Sequence, residues 1–384
     1  MRRSKYIFIL VLLAGISLLL AACTAATPAA TEQPTQAPAP TCPAPAPCPT
    51  PVAGPEVPNQ ALWEASPHND LTAEAFKHWD ETEDKMIPAS CATCHSTGGY
   101  QDFLGADGTA AGKTDNPAPI GTTIHCPARH NQAAPKLSSV SLLSGVTIDN
   151  LGPEPRRMVS HQGRATKTQV DAQIETFQAT DVDAVVAPIK DGDKTTNFGF
   201  INVHYFAAAI TLYGTEVKGG YEYDGKAYDA KNDHVPGYDT CVGCHDPHTL
   251  EVKVEQCSEC HEGVKTADDL KNIRMVSSAP DYDGDGNVTE GMFGEIEGLR
   301  DALYGGMQAY AKEVSGASII YDAATYPYFF ADKDGDGKAD TNDAGASVGF
   351  STWTPRLLKA AFNYQISVKD PGAFAHGNKY IVQL

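Results

Sequence analysis

The chain is poor in basic residues, in methionine and in long apolar runs. It carries 29 Lys and Arg against 48 Asp and Glu, which gives a formal net charge of −19. This acidity argues against nucleic acid as a partner and against docking on anionic lipid headgroups, and it favours cations and basic protein partners. The apolar run at residues 6–20 is too short for a confident membrane span. No nucleophile or acid–base constellation stands out.

The amino terminus has the pattern of an export signal. Residues 1–5 are basic, the apolar run follows, and Leu20-Ala21-Ala22-Cys23 resembles the lipobox of bacterial lipoproteins. That resemblance implies that residues 1–22 are a signal peptide and that Cys23 carries a lipid anchor. The alternative is an ordinary signal peptide with a coincidental cysteine. We expect secretion across the cytoplasmic membrane and lipid anchoring at the periplasmic face, the outer membrane or the cell surface.

Residues 23–60 are dominated by Pro, Ala and Thr. Such a stretch cannot bury a core, so it is predicted to be an extended tether. Cys42 and Cys48 lie within it, but neither is followed by His. They therefore do not belong to a Cys-x-x-Cys-His motif.

Three Cys-x-x-Cys-His motifs follow the tether. Two thiols at this spacing can reach the two vinyl groups of one porphyrin, and the adjacent His then binds the iron. A Cys-x-x-Cys pair alone also occurs in zinc and redox sites, but three copies, each followed by His in an exported chain, predict three covalent haem c groups. The motif residues are Cys91, Cys94 and His95; Cys241, Cys244 and His245; and Cys257, Cys260 and His261. The second and third motifs are so close in the chain that their haems must be neighbours.

The chain has 12 His and only 6 Met, so His is the expected second axial ligand of each iron. Pairs of His ligands favour low reduction potentials. We predict distal ligands first at His78, His204 and His248. Further candidates are His68, His234 and His376, and for each of the six an ordinary surface histidine is the alternative.

Two other segments look like haem motifs that lack thiols. The segment 126–130 keeps Cys126 and His130 but has Arg129 at the second thiol position. The segment 157–161 keeps only His161. Taken alone, either could be an ordinary loop that contains a histidine.

A further set of segments lies at 87–91, 103–108, 161–165, 199–208, 238–241 and 369–376. Through these segments the chain from residue 87 onward resembles a group of bacterial multihaem c-type cytochrome lipoproteins. The resemblance implies haem motifs at both degenerate positions, hence five haems, with extracytoplasmic electron transfer as the function. Residues 61–270 would then be the multihaem domain. At 126–130 one thioether and His130 could still hold haem, whereas at 157–161 only non-covalent haem on His161 is conceivable. Three covalent haems are thus expected, and five is the upper limit.

Two acidic loops follow the Asp-x-Asp-x-Asp-Gly pattern of calcium sites, in which alternate carboxylates face one hard cation. Position twelve of the first loop is Met292, so Glu290 or Glu295 would have to substitute. The alternative is a pair of acidic, glycine-rich turns. The candidate ligands are Asp281, Asp283, Asp285 and Asn287 in the first loop, and Asp332, Asp334, Asp336 and Asp343 in the second.

The fold is predicted to be mainly α with extensive loops and little β structure, organised around stacked haems. Residues 271–384 are expected to be a helical region packed on the haem domain. Apolar spacing predicts one helix from Ile296 to Val314, a second that begins at Thr354-Pro355, and a last one from about Phe374. The last pattern is still running at Leu384, which leaves open whether the chain is truncated there.

The leading function is a lipid-anchored electron carrier rather than an enzyme, with redox proteins or an external acceptor as partners. The first alternative is a multihaem reductase or oxidase with one open haem iron. The second is a calcium-dependent assembly protein in which haems stack along an oligomer or filament.

Overall fold

A computed structural model describes residues 56–274 and 278–384 of the chain. The predicted signal peptide, the anchor residue Cys23 and most of the predicted tether lie outside these ranges. Within them, no helix combines the length and apolar character needed to cross a bilayer.

Short helices alternate with long loops. In chain order the helices are α1 Gln60–Glu64, α2 Glu74–Lys77, α3 Ala89–His95, α4 Thr97–Phe103, α5 Cys126–Arg129, α6 Pro155–Met158, α7 Lys167–Thr176, α8 Ala208–Tyr213, α9 Cys241–Cys244, α10 Val254–Cys257, α11 Met292–Tyr310, α12 Pro355–Lys369, α13 Ala373–His376 and α14 Asn378–Gln383. One π-helical turn, Ala311–Ser315, extends α11.

The strands form two-stranded antiparallel sheets. Their pairs are β1 Met86–Ile87 with β2 Ala118–Pro119, β3 Val140–Ser141 with β4 Thr147–Ile148, β5 Ile189–Asp191 with β6 Lys194–Thr196, and β7 Ile319–Tyr321 with β8 Phe329–Ala331. The predicted class, mainly α with many loops and little β structure, is confirmed.

The two long helices follow the predicted apolar spacing, except at Val314, which lies in the π-helical turn and is 43% exposed. In α11 the side chains of Ile296 and Met307 are buried, and this helix packs against α12. Helix α12 begins at Pro355, and the hydroxyl of Thr354 accepts the N–H of Leu357 at 3.2 Å. This is the predicted start, a hydroxyl cap followed by proline in the first turn.

The last predicted helix is divided into two. Helices α13 and α14 are separated at Gly377, whose backbone is extended. A Cβ at this position would clash with the carbonyl group of Thr211, so the chain needs glycine here to approach α8 closely. The sequence periodicity alone did not reveal this break, because it arises from a tertiary contact.

The main hydrophobic core is shared by both halves of the described chain. Trp353, Leu358 and Phe362 are at most 2% exposed, and Met158 and Val203 from the earlier part join the same cluster. Each such side chain contributes about 1.5–3 kcal/mol by leaving water. One core therefore joins residues from both parts of the described chain, whereas a domain boundary near residue 270 stays a prediction.

Candidate haem sites

The first complete motif occupies helix α3. Its last residue, His95, donates a hydrogen bond from Nδ1 to the carbonyl oxygen of Ala75 at 2.7 Å. This bond fixes the tautomer and leaves Nε2 free to bind a metal. The ring of His204 faces it, with the two ring centroids 5.8 Å apart.

The segment that carries His204 is clamped from both sides. The N–H of Val203 donates to the Gln365 side chain at 2.8 Å, and that of Phe206 donates to the carbonyl of Lys369 at 2.7 Å. His204 itself has a φ of 75°, a strained conformation for a residue with a side chain. Such strain is typical of residues held in place for function.

The second motif begins with helix α9, and the third begins at Cys257, the last residue of α10. His245 donates from Nδ1 to the carbonyl of Leu250 at 3.1 Å, which repeats the arrangement of the first motif. Its ring faces that of His376, with centroids 6.3 Å apart. The third motif histidine, His261, faces His234 at 6.2 Å.

A buried carboxylate orients His376. Asp370 is 2% exposed and accepts hydrogen bonds from Nδ1 of His376 at 2.9 Å and from the hydroxyl of Thr211. Burial opposes protonation of His376, but the charge of Asp370 and the hydrogen bond to it leave its pKa raised. A carboxylate behind a histidine is a frequent partner of metal-binding imidazoles.

Both degenerate motifs also present paired histidines. The ring of His130, which follows α5, is nearly parallel to that of His248, with centroids 6.1 Å apart and a 7° angle between the ring planes. His161, after α6, faces His68 at 6.3 Å. His161 also donates from Nδ1 to the carbonyl of Phe206, at 3.2 Å.

The five pairs share one spacing. An imidazole–metal bond is about 2.0 Å long, so two Nε2 atoms on opposite sides of one iron lie about 4 Å apart and the ring centroids roughly 6 Å apart. All five centroid distances lie between 5.8 and 6.3 Å. The structure describes no hydrogen bond between the two rings of any pair. Ten of the 12 histidines of the chain therefore lie in pairs at the spacing expected for the two axial ligands of a haem.

Several of these rings are neutral at physiological pH. Burial, followed by the charge of Arg129, lowers the pKa of His68 to about 3 and that of His161 to about 4. Burial also lowers the pKa of His204 to about 4. Neutral imidazole is the form that binds a metal, so the sites are prepared for it.

Two histidines stand outside the pairs. Nδ1 of His78 lies 2.8 Å from a Glu74 carboxylate oxygen, and its exposed ring contacts Trp79. His125 packs on Trp63. The sequence ranked His78 above His68, His234 and His376 as a distal ligand, whereas the geometry pairs those three and leaves His78 aside. No local sequence signal separates them.

The first acidic loop brings carboxylates together as its pattern predicts. Asp281 and Asp283 group with Glu295, and Asp283 and Asp285 group with Glu290, with ligand atoms within 4.8 Å. The oxygens of Glu295 accept from Arg274 and from two backbone N–H groups. One oxygen of Glu290 is buried without a hydrogen-bond partner, so Glu290 is the better candidate for the missing ligand.

The second acidic loop groups Asp332, Asp334 and Asp336. Asp343 does not join that group, and Asp340 instead accepts the N–H of Lys333. In the first loop, the side-chain oxygen of Asn287 accepts from Thr289. Calcium binding at either loop stays a prediction.

The chain is similar to two polyheme cytochromes of Geobacter sulfurreducens. It is 25% identical over 371 residues to the C-type polyheme cytochrome OmcC and 24% identical over 384 residues to the C-type polyheme cytochrome OmcB. Each match covers 82% of this chain but only 44% and 45% of the relative, so the chain spans less than half their length. No family model and no solved structure matches it. With the motifs, this similarity supports a multihaem c-type cytochrome with covalently bound haem.

Proposed function

We propose that the protein is an exported electron carrier in which each complete motif holds one haem c between two axial histidines. The proposal rests on one observation. The histidine of each complete motif is paired with a second histidine at a ring-centroid distance that would accommodate an iron atom between them. Bound haem supplies a reversible one-electron couple. The polypeptide supplies thioether attachment, two ligands and a fixed ring orientation.

The ligand pairs favour a relay over an enzyme. At His95, His245 and His261 a second histidine lies close enough to take the iron position that a substrate would need. Two of these motif rings are fixed through Nδ1 by backbone carbonyls, which leaves Nε2 of each ring available for iron. The reductase or oxidase alternative would need one iron to lose a ligand.

Location and partners belong to the same proposal. The lipobox-like Leu20-Ala21-Ala22-Cys23 supports a lipid anchor outside the cytoplasm. The net charge of −19 favours basic redox proteins or positively charged external acceptors over acidic ones. Cell fractionation of the C23A variant tests the anchor, since loss of the lipid should release the protein from membranes.

Electron paramagnetic resonance of the oxidised holoprotein tests the coordination. We expect only low-spin ferric signals, full reduction by a low-potential donor, and reoxidation by a soluble acceptor without formation of a substrate complex. A high-spin ferric signal, together with carbon monoxide binding after reduction, would indicate an open iron position. That result would overturn the proposal of a pure electron carrier.

A further inference from the structure

We propose that both degenerate motifs still hold haem, through a single thioether at Cys126 and without any covalent link at His161. The inference rests on the proposed ligation at the complete motifs. It adds that all five motif positions bind haem, although three of the ten thiols that five complete motifs would have are missing from the sequence.

The first argument is the ligand geometry. The pairs His130–His248 and His161–His68 have centroid distances of 6.1 and 6.3 Å, inside the range of the complete motifs. Paired rings at this distance, without a hydrogen bond between them, leave room for a metal ion between the two imidazoles. The degenerate motifs therefore keep the histidine spacing of the complete motifs.

The second argument is the orientation of His161. Its Nδ1 donates to the carbonyl of Phe206, as those of His95 and His245 do to Ala75 and Leu250. The bond leaves Nε2 unprotonated and directed away from the carbonyl. The motif without thiols thus keeps the ligand arrangement of the motifs that have them.

The third argument is a group of arginines without carboxylate partners. Arg129 and Arg157 occupy thiol positions, and within the described part of the chain neither they nor Arg156 forms an ion pair. By contrast, Arg274, Arg300 and Arg356 each pair with a carboxylate. The buried Nε of Arg129 also lacks a hydrogen-bond partner.

Haem provides the anions that these arginines lack. Each porphyrin carries two propionates, and guanidinium groups bind carboxylates with two parallel hydrogen bonds. A cleft of about 420 Å³ beside His130 is lined by both Arg129 and Arg156. Ion pairs between these arginines and the propionates would therefore replace part of the stabilisation of bound haem that thioether bonds give at the complete motifs.

One contact must change when haem binds. Arg129 lies 3.3 Å from Nδ1 of His68 and can only donate to it. A His68 that binds iron through Nε2 carries its proton on Nδ1 and cannot accept from Arg129. The Arg129 side chain must turn away, which frees it for a propionate.

The covalent step at Cys126 is an addition. Its sulfur bonds to the inner carbon of one vinyl group, the thiol hydrogen goes to the outer carbon, and no group leaves. The second vinyl group stays intact. The α-band of the pyridine haemochrome of this haem should therefore lie at a longer wavelength than that of haem c.

Iron and haem counts of the mature wild-type holoprotein test the inference. We expect five irons per chain, four haems in the mass of the denatured chain, and one haem released by acidic acetone. The releasable haem should disappear in H161A and remain in H78A, whose histidine is unpaired. Three or four irons per chain would overturn the inference. If those irons were low-spin, the proposed electron-carrier function would stand.

Restored motifs provide a second test that does not depend on losing a ligand. In the R157C/S160C variant the releasable haem should become covalent while the iron count stays at five. In R129C the iron count should also stay at five, and the haemochrome band should move toward that of haem c. An increase in iron in either variant would show that the wild-type site is empty and would overturn the inference.

Discussion

The carboxylate of Asp370 lies 2.9 Å from Nδ1 of His376 and is almost completely buried. It is also held by the hydroxyl of Thr211 and the N–H of Gly372, so it cannot turn away. A buried charge behind one axial ligand makes that imidazole a stronger donor, and stronger donation favours the ferric state.

Replacing Asp370 with asparagine should therefore raise the reduction potential of the haem held by His245 and His376. A tenfold change in the ratio of the ligands' affinities for ferric and ferrous iron corresponds to about 59 mV for one electron. We therefore expect a shift on the order of 50 mV. Spectroelectrochemical titration of the holoprotein measures it. The matched control is D224N, which removes a carboxylate that is 99% exposed. Equal potentials in D370N and wild type would contradict the assigned role.

Removing His204 should open one iron. The H204A variant leaves His95 as the only axial ligand of its haem, and we expect one high-spin iron that binds carbon monoxide after reduction. The H78A control should keep the wild-type spectrum, because His78 contacts Glu74 rather than another histidine. A high-spin iron in H78A but not in H204A would reverse the ligand assignment.

The residues that attach haem could be predicted from the sequence, because each Cys-x-x-Cys-His motif is a run of five consecutive residues. The distal ligands could not, since His204 and His376 are far in the chain from His95 and His245 and lie beside them only in the folded protein. The same reason explains the break at Gly377, which is set by its contact with Thr211. Helix α11, whose apolar spacing is regular, was predictable over most of its length.

Glu295 should be more important for stability than any exposed carboxylate on the same helix. Its side chain is fully buried, pairs with Arg274 and accepts the N–H groups of Tyr282 and Asp283. The E295Q variant leaves Arg274, which is 11% exposed, without its counter-charge, and we expect a loss of about 3 kcal/mol in the free energy of unfolding.

Denaturant titration of E295Q beside E297Q tests this expectation. Glu297 lies on the same helix, is 50% exposed and pairs with Arg300 across one turn. Its replacement should cost no more than about 0.5 kcal/mol. Similar losses in both variants would mean that the Arg274–Glu295 pair contributes no more than a surface pair.

Calcium should bind the first acidic loop through Asp283, Asp285 and Glu290, whose oxygens lie within 4.8 Å of one another. A hard cation would satisfy the buried oxygen of Glu290 and offset the repulsion among the three carboxylates. At a calcium concentration one hundred times the dissociation constant, stabilisation of about 2.7 kcal/mol per site is expected.

Isothermal titration calorimetry of chelator-treated protein counts the calcium sites. Two sites are expected in the wild type, one in E290Q and one in D332N, because each substitution removes an oxygen from a different loop. E297Q serves as the control and should retain both. Since ligand bound only to the folded state raises the unfolding temperature, each lost site should also reduce the calcium-dependent increase in that temperature. Unchanged stability and no heat of binding at millimolar calcium would leave both loops as plain acidic turns.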